Sequence, residues 1–272
     1  MASVNPTVSD YGQTIHPHAF GGVCDAAGNG PFAMNHAPLL ATFLDPNIGF
    51  NFFEDFINVH TAPGVPGDII FVQDAGKTGQ DEILDAKGGV LRIFVDGNDN
   101  DECYGSYNFE HFQLDTDCWF EARVRFNENG GTAGKSAFVI GISDTVGADS
   151  ILNGSTLMTS FDGVALAKLE DDTVFTMVVS NVAVQKTVTA ASTASTFADA
   201  TWVRLGFYWD ADGGTAASSG RCYFFVDGDP AATTDLVTTT MDEAHIFFGL
   251  KMHASTTEAS LDIDYIKACN VR

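Results

Sequence analysis

Basic residues are scarce in this chain. Its 272 residues include 13 Lys and Arg against 36 Asp and Glu, a formal net charge of −23. Such a field repels phosphate, so nucleic acid is an unfavourable partner. Anionic membrane surfaces are unfavourable for the same reason. No Lys or Arg precedes Lys77. A secretory signal needs a positive region ahead of its apolar run, so no signal peptide is expected and synthesis is expected in a cytoplasm. Long apolar runs are missing too: the one nearest the start, Pro38 to Leu44, is too short to span a bilayer. Cysteine is sparse. Cys24, Cys103, Cys118, Cys222 and Cys269 are widely spaced and form no Cys-x-x-Cys pair, and several fall inside apolar runs, where a thiol packs as a small hydrophobe. Free thiols and no zinc site are expected.

What the chain does contain is strand signal. Residues 1–50 are rich in Gly, Pro, Asn, Ala and His with little periodicity, and read as an irregular N-terminal arm. From 51 to 272, runs of β-branched and aromatic residues follow one another almost without pause. Strands are expected at 51–57, 68–73, 90–95, 103–109, 118–126, 136–143, 163–169, 174–180, 244–250 and 260–271, with a hairpin from 200–210 and 220–227. In 118–126, Cys118, Phe120, Ala122, Val124 and Phe126 share one face, while Trp119, Glu121, Arg123 and Arg125 share the more polar one. Helical turns are expected at 38–44 and 80–87, and the Thr/Ala/Ser tract 187–196 reads as a strand edge plus loop. One all-β domain of two antiparallel sheets accounts for this pattern.

Particular runs carry a resemblance. Trp202-Val203-Arg204-Leu205-Gly206-Phe207-Tyr208, then Tyr223-Phe224-Phe225-Val226-Asp227-Gly228, then Leu261-Asp262-Ile263-Asp264-Tyr265-Ile266, resemble the concanavalin A-like lectin/glucanase jelly roll. The upstream segments 120–126, 138–144 and 162–166 fit the same strand order, so the resemblance spans roughly residues 50–272. Within that superfold the chain looks like the jelly-roll virion proteins of tailed bacteriophages, whose strands carry a Phe-Glu-Ala-Arg segment such as 120–123. The resemblance implies a jelly-roll sandwich, and it implies that Trp202 is a core aromatic.

Four residue sets invite chemistry. Asp96, Asn98 and Asn100 alternate like the first ligands of a calcium loop, with Glu102 beyond them, and are candidate Ca2+ ligands. The segment departs from the helix-flanked motif: Asp101 stands where Gly is required and Tyr107 where Glu is required. The competing reading is a polar turn in which Asp and Asn tolerate left-handed geometry. Trp119 and Trp209 are candidate carbohydrate-stacking residues, weighed against burial in the core. His16, His18, Cys24 and His36 match no zinc spacing, and His245 and His253 read as packing residues. Laminarinase-type hydrolases place Glu-x-Asp-x-Glu on one strand. That spacing is absent, Asp262 and Asp264 lack a glutamate partner, and Glu121 is expected to pair with Arg123.

The expected function is therefore non-enzymatic. The phage resemblance implies a capsid decoration or cement protein on the outer surface of a virion. Its arm would bind the major capsid protein, and it would self-associate, as a trimer or other homo-oligomer. The alternative is a carbohydrate-binding, lectin-like module that adsorbs to surface glycans. A glycoside hydrolase is the weakest of the three. No cofactor other than Ca2+ is implied.

Overall fold

Alternating apolar and polar residues give each strand a dry face and a wetter one, and two such sheets must bury their dry faces together. The computed structural model describes residues 49–56, 69–73, 80–84, 89–128, 136–149, 151–153, 156–157, 161–181, 184–189, 196–216, 219–237, 243–253 and 258–271. Most of the arm, the segment 38–44 and the cluster His16, His18, Cys24 and His36 lie outside them.

The described strands are β1 (Gly49–Glu54), β2 (Ile69–Gln73), β3 (Gln80–Leu84), β4 (Val90–Val95), β5 (Glu102–Tyr107), β6 (Cys118–Asn127), β7 (Ser136–Ser143), β8 (Leu152–Asn153) and β9 (Thr156–Leu157). They continue with β10 (Gly163–Lys168), β11 (Thr176–Asn181), β12 (Val184–Thr189), β13 (Trp202–Asp210), β14 (Ser219–Val226), β15 (Asp229–Val237), β16 (His245–Met252) and β17 (Ala259–Val271). No helix occurs among the described residues. One sheet runs β15-β14-β13-β6-β17-β4-β3, with β1 also paired to β17, and the other runs β12-β11-β10-β7-β16-β5-β2. The 13-residue β17 is long enough to hold β4 along Ala259–Ile263 and β1 along Ile266–Val271. All named pairs are antiparallel, as the sequence leads one to expect.

The inward faces form one continuous core. Cys118, Phe120, Ala122, Val124 and Phe126 are all buried, as the alternation requires, and meet Phe138, Ile140 and Ile142 of β7 and Phe248 and Leu250 of β16. The four described cysteines are buried free thiols. Asp227 and Gly228 both take positive φ, 53° and 91°, giving the tight turn that joins β14 to β15.

Three expectations are corrected. Residues 80–84 form a strand paired with β4 rather than a helical turn. Gly49 and Phe50 belong to β1, so the arm ends earlier than residue 50. Trp202 is not core. In β13 the inward residues are Leu205, Phe207 and Trp209, so period-two alternation turns Trp202 outward. There the Arg123 and Arg125 guanidinium groups each sit 4.8 Å from its ring centroid.

Part of the outer face of the seven-stranded sheet is covered by the chain itself. The excursion 144–162 leaves β7 and returns to β10 through a neck in which Asp144 N–H donates to Asp162 O (2.9 Å) and Asp162 N–H donates to Asp144 Oδ1 (2.7 Å). Ile151, Leu152, Leu157 and Phe161 from this strap pack on Tyr104, Val139, Ala165, Ala167 and Phe247. Small residues on that face leave room for the strap.

Candidate functional site

Between β5 and β6 the chain crosses from one sheet to the other. Tyr107 and Phe112 anchor the two ends of the crossing in the core. Phe112 N–H and O bond Ala244 O and N–H, which ties the crossing to the start of β16. The four residues between the anchors are pushed outward: Asn108, Glu110 and His111 are exposed and Phe109 is half-buried. Their rings nonetheless form a platform. Phe109 and His111 stack with centroids 5.2 Å apart at an interplanar angle of 24°. Phe50 of β1 meets His111 edge-on at 5.2 Å, and Phe52 meets Phe109 at 5.6 Å. Offset and edge contacts of this kind suit the aromatic quadrupole.

Polar groups ring the platform. Glu110 Oε1 lies 3.0 Å from His245 Nε2, and His245 Nδ1 lies 2.9 Å from Tyr107 O. His111 Nδ1 donates to Glu110 O at 2.9 Å. Gln113 Nε2 donates to Glu243 Oε1 at 2.9 Å. Buried Asn270 holds the far stem: its Oδ1 accepts from Gln113 N–H (3.0 Å), and its Nδ2 donates to Gln113 O (2.9 Å), Thr116 Oγ1 (3.0 Å) and Asp117 O (3.0 Å). The result is an apolar plate with carboxylate, amide and imidazole at its edge. A saccharide's C–H face fits such a plate and its hydroxyls fit such an edge. The sequence held a signal for this loop, Asn108-Phe109-Glu110-His111, in which one aromatic sits among polar residues at a strand end. Reading Phe109 as the last strand residue, and His245 as packing, hid it.

The residues singled out from sequence lie elsewhere. Trp119 is 1% exposed and Trp209 is wholly buried, so neither offers a face to a sugar. Trp209 sits in the core and donates its indole N–H to Leu114 O at 2.7 Å. Trp119 is on the outward face but is stacked on Tyr208 at 4.8 Å and walled by Phe225 and Cys269. The carbohydrate assignment of both is corrected for this reason.

Asp96, Asn98, Asn100 and Glu102 do not converge. Asn98 Nδ2 donates to Asp96 Oδ1 (2.7 Å) and Asp101 Oδ2 (3.3 Å), placing an N–H among the oxygens where a cation would need only acceptors. Asn100 takes the left-handed φ of a turn, 65°. Glu102 lies buried on β5, accepting from Asp149 N–H (2.7 Å) and Lys251 Nζ (3.2 Å). The polar-turn reading fits these residues and the Ca2+ cage does not. Among the described residues, no three His, Cys, Asp or Glu side chains gather as a metal set.

Glu121 does not pair with Arg123. It accepts a hydrogen bond from Tyr265 Oη at 2.6 Å, and burial raises its carboxyl above the usual range against the opposing pull of that bond and of Lys267 and Arg204. Arg123 pairs instead with Asp264 at 2.5 Å, and Asp262 accepts from both Arg92 and Arg125. Both aspartates of the 262–264 segment are thus engaged by arginine.

Solved structures place the architecture. Peanut lectin, crystallised with a nine-residue peptide, superposes with a TM-score of 0.54 at 15% identity, over 82% of this chain and 97% of that one. The fold is a lectin-like jelly roll. The carbohydrate recognition domain of Emp47p gives a TM-score of 0.51 at 14% identity, over 83% of this chain and 98% of that one. An endo-β-1,4-glucuronan lyase from the fungus Trichoderma reesei gives 0.49 at 12% identity, over 80% and 94%. No protein-family model matches this sequence, and a search of curated proteins finds no match. At these identities the lectin-like jelly roll is a shared fold, and function has to be argued from the site.

Proposed function

We propose that this lectin-like jelly roll is a non-enzymatic carbohydrate-binding protein whose saccharide rests on the Phe109–His111 platform. The stacked, half-open ring pair bordered by Glu110, Gln113, Glu243 and His245 carries the reading. The carboxylates there are tied to hydrogen-bond partners at the rim, an arrangement suited to gripping hydroxyls. The likeness to lectins supports the same choice at the level of fold. The capsid-decoration role that the sequence resemblance implies has no counterpart among the neighbours named above, and takes second place.

A glycan array followed by calorimetry tests the proposal. His111→Ala removes half of the platform from an exposed position, so it is expected to weaken binding at least tenfold while leaving thermal stability unchanged. Equal binding by the variant removes the platform from the site. Silence on the array, together with co-sedimentation of the protein with phage shells, replaces glycan binding with the virion role.

A further inference from the structure

We propose that the outer face of the eight-stranded sheet is a second binding surface, separate from the Phe109–His111 platform, for an acidic polysaccharide whose uronate carboxylates meet Arg123, Arg204 and Lys267. Period-two alternation sends all three to that face, on the neighbouring strands β6, β13 and β17. Arg123 and Arg204 are direct cross-strand partners. Like charges set opposite each other weaken a sheet, and an anion between them offsets that cost. The Trp202 ring steadies Arg123 and Arg125, whose guanidinium groups each lie 4.8 Å from its centroid. A guanidinium carries five N–H donors in a planar fork that fits a carboxylate. Among the described residues, Arg123 gives a hydrogen bond to Asp264 through Nη1, and Arg204 gives one to the Asp227 carbonyl through Nη2 at 2.6 Å. Donors remain on both.

The acidic groups in the middle of this face lie lower than its cations. Asp262 and Glu121 are buried and Asp264 is half-buried, whereas the Arg123 side chain is 40% exposed. Glu82 of β3, opposite Arg92, and Asp227 at the turn between β14 and β15 bound the basic area. Aromatic rings stand beside the charges. Lys267 Nζ is 4.4 Å from the Tyr265 ring centroid and 5.7 Å from that of Phe53, its cross-strand partner on β1. Phe53 is 60% exposed. A uronate residue has the two matching halves, an apolar C–H face for the ring and a carboxylate for the cations.

A second copy of the chain fits this face poorly. A two-fold contact would set the cationic face against itself, and a contact with an acidic surface elsewhere on the molecule would be heterologous and open-ended. Chains of net charge −23 also repel one another. The same net charge repels a polyanion at long range, so salt acts on binding in two directions. At 0.01 M the Debye length is about 30 Å and the ligand feels the whole molecule; at 0.1 M it is about 10 Å and the ligand feels mainly the face beneath it. At 1 M it is about 3 Å, and the contacts themselves weaken. Affinity is expected to be greatest near about 0.1 M.

The test is calorimetry of the full-length protein with tetramers of galacturonic, glucuronic and mannuronic acid, with their methyl esters, and with polyglutamate. At least one tetramer is expected to bind, and its ester, which keeps the rings and loses the charge, is expected to bind about tenfold more weakly or worse. Arg123→Gln and Arg204→Gln are each expected to weaken binding about tenfold. Phe53→Ser, at an exposed position, is expected to weaken it about threefold with Tm unchanged. No binding by any tetramer, or equal binding of the ester, overturns the proposal. Polyglutamate binding as tightly as the best tetramer also overturns it and makes the partner an acidic protein. Loss of binding in His111→Ala, with the arginine variants unaffected, overturns it by putting the anion on the platform. The two sites fail separately: neutral glycans captured in a manner sensitive to His111→Ala, with no uronate bound, leave the platform standing and remove this surface.

Discussion

A single buried carboxyl shows how burial and titration combine at the residue scale. Glu121 is 4% exposed on the outer face of β6, and burial raises its carboxyl above the usual range. A group with a raised folded-state value binds its proton more tightly folded than unfolded. The stability it contributes is fully present below the unfolded carboxylate value, about 4.3, and is lost as pH rises through the folded value. Glu121→Gln cannot ionise and keeps an oxygen for the Tyr265 hydroxyl. Calorimetry is expected to give a higher Tm for the variant at pH 7, with the gap closing toward pH 4. A variant less stable than wild type at pH 7 would show that the ion's contacts with Lys267 and Arg204 outweigh its burial. The sequence placed Glu121 correctly, on the outward face with Arg123 and Arg125. Its partner was not legible, because β17 shifts register between Ile263 and Tyr265 where it pairs with β6, and a bulge leaves no mark in either strand's alternation.

Elements show the same division between what periodicity reveals and what pairing decides. The hairpin of β13 and β14, the pair of β10 and β11, and the dry face of β6 follow from strict alternation and turn residues. β15 escaped notice because Pro230 opens an otherwise ordinary Ala/Thr stretch. It is tolerated there because β15 ends the sheet and Pro230 sits opposite the bulge at Phe225. The strap 144–162 was illegible for another reason: besides its apolar contacts, it is tied to a buried charge pair between β5 and β16, neighbours in the sheet that lie far apart in sequence. Lys251, 1% exposed, donates to Glu102 and to Asp149 of the strap, while Asp149 N–H donates to Glu102 and Leu152 N–H to Tyr104 Oη. Burial raises the Glu102 carboxyl, and Lys251 pulls it back. Lys251→Met strands that carboxylate and is expected to cost about 3–5 kcal/mol in urea titrations. Adding Glu102→Leu removes the stranded charge and is expected to recover at least half of the loss. Equal losses for the single and double variants would mean that the strap is held by its apolar contacts alone.

Across the whole molecule the charges are unevenly shared. Five of the six arginines, Arg92, Arg123, Arg125, Arg204 and Arg221, stand on the outer face of the eight-stranded sheet in a chain of net charge −23. Arg123–Asp264 and Arg221–Asp235 are partly exposed pairs, of a kind that contributes about 0–1 kcal/mol each, whereas Arg92 and Arg125 share the buried carboxylate of Asp262. Two long-range effects of salt therefore compete. Salt weakens these few pairs, and it also screens the repulsion among the carboxylates, which outnumber the basic groups. The Debye length shrinks from about 30 Å at 0.01 M to about 3 Å at 1 M, so repulsion acting across the molecule is removed while the short contact pairs are only softened. Repulsion is the larger quantity here, because acidic residues outnumber basic ones by 36 to 13. Tm is expected to rise with sodium chloride from 0.01 to 1 M, by about 2–4 °C for each kcal/mol of repulsion relieved. A flat or falling Tm would show that the arginine-bearing sheet face, and not the acidic remainder, sets the electrostatic part of the stability.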